Sequence, residues 1–248
     1  MVDYLDLLFI GMVYETIIII VTGILLVLIL KKYYEKKHKL TFLLFLIFLN
    51  WFLGIIFSWL SKVIELYSGI PWLEDSTTPE PGTIQSFFLL RISYFRISFL
   101  FVTIGILLTY ILEVKLFEKG YTRKKYFAIL FGIFTAIYVF FVYIRGFLLL
   151  DVLAFLFVAI YMLVIYLSFA IKTIQAFRAI KEKNYKKGFL SLSIMSICLI
   201  LVFVMFLVDR ILIFLGNIGF TIFYFMAWTF AVIAILCAYL GYIKPKSK

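Results

Sequence analysis

Apolar positions gather into seven long runs, roughly Leu7–Leu30, Leu40–Ser61, Phe87–Leu112, Tyr126–Ile144, Phe147–Ile171, Phe189–Leu215 and Ile218–Ile243. Each is close to or above the ~20 residues that an α-helix needs to cross a hydrocarbon core of about 30 Å. The pattern predicts an all-α integral membrane protein, a seven-transmembrane-helix bundle forming one domain over residues 1–248. Little chain is left between the runs, so no soluble output module is expected.

Polar positions orient the bundle. Four short segments, Lys31–Lys39, Glu113–Lys125, Lys172–Lys187 and Lys244–Lys248, carry 5, 5, 6 and 3 of the 24 Lys and Arg residues. Basic residues flanking spans are retained on the cytoplasmic side. All four segments therefore face the cytoplasm, with the N-terminus outside and the C-terminus inside. The other connections are acidic or short: Asp3 and Asp6 lead the chain, and Glu65, Glu74, Asp75 and Glu80 follow the second run. Acids before Leu7 give the first run no basic leader, which predicts a retained helix. The expected location is the cell membrane.

Composition adds limits rather than direction. Apolar residues make up 66% of the chain and mean hydropathy is +1.16, beyond the range of a soluble domain. The net charge of +11 sits at helix ends, where anionic headgroups account for it, and nucleic acid is not an expected partner. Cys198 and Cys237 fall within spans as small hydrophobes, with no disulfide framework or metal site. Asn and Gln total five, a depletion that fits a thermophilic prokaryote but also the general scarcity of amides in spans. All four prolines (71, 79, 81 and 245) lie outside the spans, so the helices are expected to be unkinked. No two glycines stand four apart, which removes the GxxxG association signal. Apolar residues at Ile171, Ile174, Phe177 and Ile180 recur every third position. The fifth helix should thus continue past the membrane and offer a face to a cytoplasmic partner.

Candidate chemistry lies in the outer half. Ionisable residues inside spans are costly and face the bundle interior or water, often in pairs. Glu15, Arg91, Arg96, Arg145, Asp151, Asp209 and Arg210 form such a set. Glu15 and Arg96 both lie about 12–14 Å from the outer edge at 1.5 Å per residue, which predicts that they pair. Arg91, Tyr94 and Ser98 share one face of a continuous third helix. Asn50 is expected to bond between helices. Glu15, Arg91, Tyr94, Arg96, Asp151, Asp209 and Arg210 are thus the candidate ligand pocket. Its surplus arginine suits a small anionic ligand.

Other chemistries lack their residues. The single histidine, His38, lies among lysines, which removes bis-His haem ligation within the chain, HExxH zinc hydrolysis and a Ser-His pair within the membrane. No phosphate-cradling glycine loop is present. The last run contains no lysine, so covalent retinal is not expected, and no family pattern is matched at residue level. The resulting expectation is a receptor-like, sensory membrane protein without enzyme activity or cofactor. It would couple an outward pocket to a cytoplasmic partner at loops 113–125 and 172–187. The alternatives are a small transporter or flippase for an anionic or lipidic solute, and a structural subunit of a membrane complex.

Overall fold

The structure, a computed structural model, describes residues 4–68, 82–118, 123–145, 147–216 and 220–242. Eight α-helices account for almost all of them: α1 (Tyr4–Lys36), α2 (Lys39–Tyr67), α3 (Ile84–Ser93), α4 (Arg96–Phe117), α5 (Arg123–Phe141), α6 (Leu148–Ala179), α7 (Lys183–Phe214) and α8 (Ile222–Tyr242). Six are long and apolar enough to cross a membrane: α1, α2, α4, α6, α7 and α8. The apolar part of α5, Tyr126–Phe141, is shorter. The chain is thus an all-α bundle of multi-pass membrane type.

Helices run further than hydropathy suggests. At 1.5 Å per residue the 33 residues of α1 extend about 50 Å, so its basic end projects past a hydrocarbon core. Lys37, at a φ of 47°, ends it and His38 caps α2, which leaves a two-residue joint where a nine-residue loop was expected. The fifth predicted helix continues to Ala179, as its spacing implied.

The packing order is a ring. α1 lies between α2 and α8, α2 also packs on α4, α4 on α6, α6 on α7, and α7 on α8. The ring therefore closes through the six longest apolar helices, with α5 outside against α4 and α6 and α3 against α2 and α4. The tightest seam, α7–α8, has a cause in composition. Ala227, Ala231, Ala234 and Ala238 are all buried along one stripe of α8. At the seam's end, a Cβ on Gly241 would meet the Gly188 carbonyl oxygen at 2.8 Å. Small residues let backbones approach where water supplies no driving force, so the absence of GxxxG did not mean the absence of small-residue packing.

The predicted third helix is not continuous. It stops at Ser93 and restarts at Arg96, with Phe95 left-handed at φ 59° and ψ 11°. No proline or glycine causes this, and the expectation of unkinked helices is corrected. Residues five apart on a straight helix point about 140° away from each other. Yet the guanidinium carbons of Arg91 and Arg96 lie 5.5 and 5.6 Å from one ring, that of Tyr143. The break turns two buried arginines toward one side, where each finds its acceptors.

Candidate functional site

At the bundle end opposite the α1–α2 joint and Lys172, the ring encloses a cavity of about 390 Å³. Every ring helix lines it: Leu8 from α1, Trp51, Gly54 and Ser58 from α2, Ser98 and Val102 from α4, Phe155 from α6, Val202 and Phe203 from α7, and Trp228 from α8. Its body is apolar and aromatic. The α2–α4 wall is held by reciprocal packing, since Trp51 lies over Gly105 (3.2 Å to a built Cβ) and Val102 over Gly54 (3.0 Å). Ser98 donates to the Gly54 carbonyl at 2.7 Å.

Polar groups stand at the mouth. Tyr4 donates to Glu65 at 2.8 Å. Asp209 accepts from the backbone N–H and the hydroxyl of Thr221 at 2.9 and 2.7 Å, which places its charge at the N-terminus of α8. Arg210 is exposed on the same rim, with its guanidinium carbon 5.5 Å from the centre of the Phe95 ring. Among the described residues it has no carboxylate within 4.0 Å.

Behind the wall formed by Ser58 and Tyr224 lies a closed ionic centre. The Glu15 carboxylate, 0% exposed, accepts from Lys62 at 3.0 Å on both oxygens, from Ser58 at 2.8 Å and from Tyr224 at 2.6 Å. Lys62, 1% exposed, also lies 5.2 to 5.8 Å from the centres of the Phe95, Phe220 and Tyr224 rings. Glu15 therefore pairs with Lys62 and not with Arg96. Equal depth does not make the two neighbours, because α1 packs on α2 and α8, with α2 between it and α4.

Arg96 instead joins α4 to α6. Its Nε and Nη2 donate to Asp151 Oδ1 at 2.9 and 2.6 Å, while the buried Nη1 has no hydrogen-bond partner. Arg91 is likewise engaged within the protein. It donates to the Phe140 and Phe141 carbonyls at 2.6 and 3.3 Å, closing the C-terminal end of α5, and to Phe87 at 3.1 Å. The Tyr94 and Tyr143 rings lie 5.4 Å apart, tilted by 46°. The break separates Arg91 and Tyr94 from Ser98, which alone of the three reaches the cavity. Of the seven candidate pocket residues, then, only Asp209 and Arg210 line it. Asn50 bonds the Leu46 carbonyl of its own helix at 2.8 Å rather than a neighbouring helix.

Sequence reading missed Ser58, Lys62 and Glu65. The signal was present: the three are spaced i, i+4, i+7, one face of a helix carried two turns past Ser61. A second buried group lies toward the basic end of the bundle. Glu113, 0% exposed, accepts from Ser168 at 2.7 Å and from Lys172 at 2.6 Å, and Lys172 also binds Glu118. No group of three or more metal-ligating side chains occurs among the described residues. No protein-family model matches the chain, and neither curated proteins nor solved structures yield a similar one.

Proposed function

We propose that this chain is a receptor-like protein of the cell membrane. In this reading it crosses the membrane seven times, with its N-terminus outside, and binds a ligand with an apolar body in the cavity. Occupancy is passed through α4 to the cytoplasmic segments 113–125 and 172–187 and so to a protein partner. The seven crossings draw support from helix polarity. Arg96–Asp151 and Glu113–Lys172 tie α4 to α6 at both ends in the same order, so the two helices run parallel. The chain must return between them, and α5 is the return.

The observation that carries the sensing role is the position of α4. Its first turns supply Ser98, Phe99 and Val102 to the cavity wall, and its last turn holds the buried Glu113 against α6. A ligand shifts such a helix only by binding two arrangements unequally. Spin labels at Lys115→Cys and Arg178→Cys, in a background without Cys198 and Cys237, would report the α4–α6 distance. A fatty acid, a lysophosphatidylcholine and an alkylammonium serve as probes. We expect at least one to change the distance distribution saturably. A probe that binds without changing it would overturn the sensing role.

The broken third helix beside the cavity favours a second reading, a transporter or flippase, because interrupted helices often border transport sites. Against it, the interior beyond Trp51 is closed by the fully buried Phe48, Ile106 and Tyr166. Flux of a labelled amphiphile in proteoliposomes separates the two readings.

A further inference from the structure

The charges at the mouth specify more than an apolar guest. Glu15 is neutralised by Lys62, and Asp151 by Arg96. Asp209 is held by the start of α8. Besides Asp209, two charges at the rim lack an ionic partner within 4.0 Å among the described residues: the guanidinium of Arg210, and the carboxylate of Glu65, which accepts one neutral hydrogen bond from Tyr4. Both border the same cavity. A bare anion would meet Arg210 but also two carboxylates, and a bare cation would leave Arg210 unmatched. A head carrying both signs satisfies the two groups together, through charge-assisted bonds to the arginine and ionic contact with the glutamate. The volume sets the tail. At about 390 Å³ the cavity lies near the lower end of the ~300–1,000 Å³ typical of small-molecule pockets. That suits one flexible chain rather than two.

We propose that the cavity takes a single-chain zwitterionic amphiphile, its head held between Arg210 and Glu65 and its chain running down to Trp51 and Trp228. This rests on the cavity being a ligand site, as the receptor reading holds, but not on any signal leaving it.

The two indoles give a direct readout. With Trp59→Phe and Trp72→Phe, only Trp51 and Trp228 remain fluorescent. The protein in nanodiscs is titrated with chain-brominated lysophosphatidylcholine, fatty acid and alkylammonium of equal chain length, and with a brominated two-chain phosphatidylcholine. Bromine quenches only indoles within contact range, and unbrominated lipid of the same type competes away any saturable site.

We expect saturable quenching by the lysophosphatidylcholine at a concentration about tenfold below that of either singly charged probe, the factor expected for one charge-assisted contact. Two-chain lipid should quench without saturating. Arg210→Gln should cost the zwitterion its advantage over the alkylammonium, and Glu65→Gln its advantage over the fatty acid. Both substitutions are at the rim, and the wild-type comparison of the three heads can be read even where a variant does not fold. Equal saturable quenching by all three heads, or preference for the fatty acid, overturns the zwitterion assignment and leaves the cavity as a site. No saturable quenching by any probe overturns the cavity-binding reading itself.

Discussion

Glu15 and Lys62 illustrate how an ion pair is tolerated between apolar helices. Neither charge reaches water, so each depends on the other and on fixed donors. The carboxylate takes four hydrogen bonds from Lys62, Ser58 and Tyr224. The ammonium gains the Ser58 carbonyl at 3.1 Å and three aromatic faces. Removing one partner from such a pair costs about 3–5 kcal/mol because the survivor is left buried and unmatched. Glu15→Gln and Lys62→Met should therefore each lower the melting temperature in detergent markedly, and the double variant should fall well short of their sum. Additive losses would mean the two side chains are independent. Glu15→Gln with Arg96→Gln, on different helix seams, should be additive. Glu15 was recognisable in the sequence as an interior charge, since nothing else explains an acid in mid-span. Lys62 was not, because hydropathy falls at Ser61 while hydrogen bonding continues the helix to Tyr67.

Helices α4 and α6 show what an element does with two such pairs. Arg96–Asp151 and Glu113–Lys172 lie 17 positions apart on α4, about 26 Å along its axis, and dock it on α6 at both ends. The lower pair is less enclosed, with the Lys172 side chain 28% exposed against 0% for Glu113. Lys172→Met leaves Glu113 only Ser168 as a donor. We expect a loss of about 1–3 kcal/mol, smaller than for Glu15–Lys62 because water reaches the lysine. Adding Glu113→Gln should recover part of it, measured by thermal unfolding in the same detergent. No recovery would place the role of Lys172 with Glu118 instead. The existence and type of these helices were legible from hydrophobic runs alone. The break at Phe95 was not. Arg91-Ile-Ser-Tyr-Phe-Arg96 contains no helix-breaking residue, and its cause is three-dimensional: the C-terminal carbonyls of α5 and the carboxylate of Asp151, both brought in by later parts of the chain.

Taken whole, the described residues form a ring of six helices with α3 and α5 packed outside it, and α5 bears on the topology. α5 comes from the shortest of the seven predicted runs, and its apolar part, Tyr126–Phe141, is shorter than the six helices long enough to cross a membrane. Packing adds what hydropathy lacks. α4 and α6 are parallel, and Arg91, in the last turn of α3, donates to the last carbonyls of α5. The chain leaves α4 at the basic end and enters α6 at the cavity end, so the connection between them covers the thickness of the bundle. In the proposed topology, basic segments 113–125 and 172–187 fall on one side with 31–39, in keeping with retention of Lys and Arg in the cytoplasm. Single cysteines placed in a chain lacking Cys198 and Cys237 test this arrangement. A membrane-impermeant maleimide applied to intact cells should label Ser68→Cys and Ile144→Cys at the cavity end. Lys115→Cys and Lys186→Cys should react only after permeabilisation. Labelling of Lys115→Cys and Ile144→Cys from the same side would mean that α5 does not cross. The parallel docking of α4 and α6 leaves no room for that outcome if the Arg96–Asp151 and Glu113–Lys172 pairs form in the membrane.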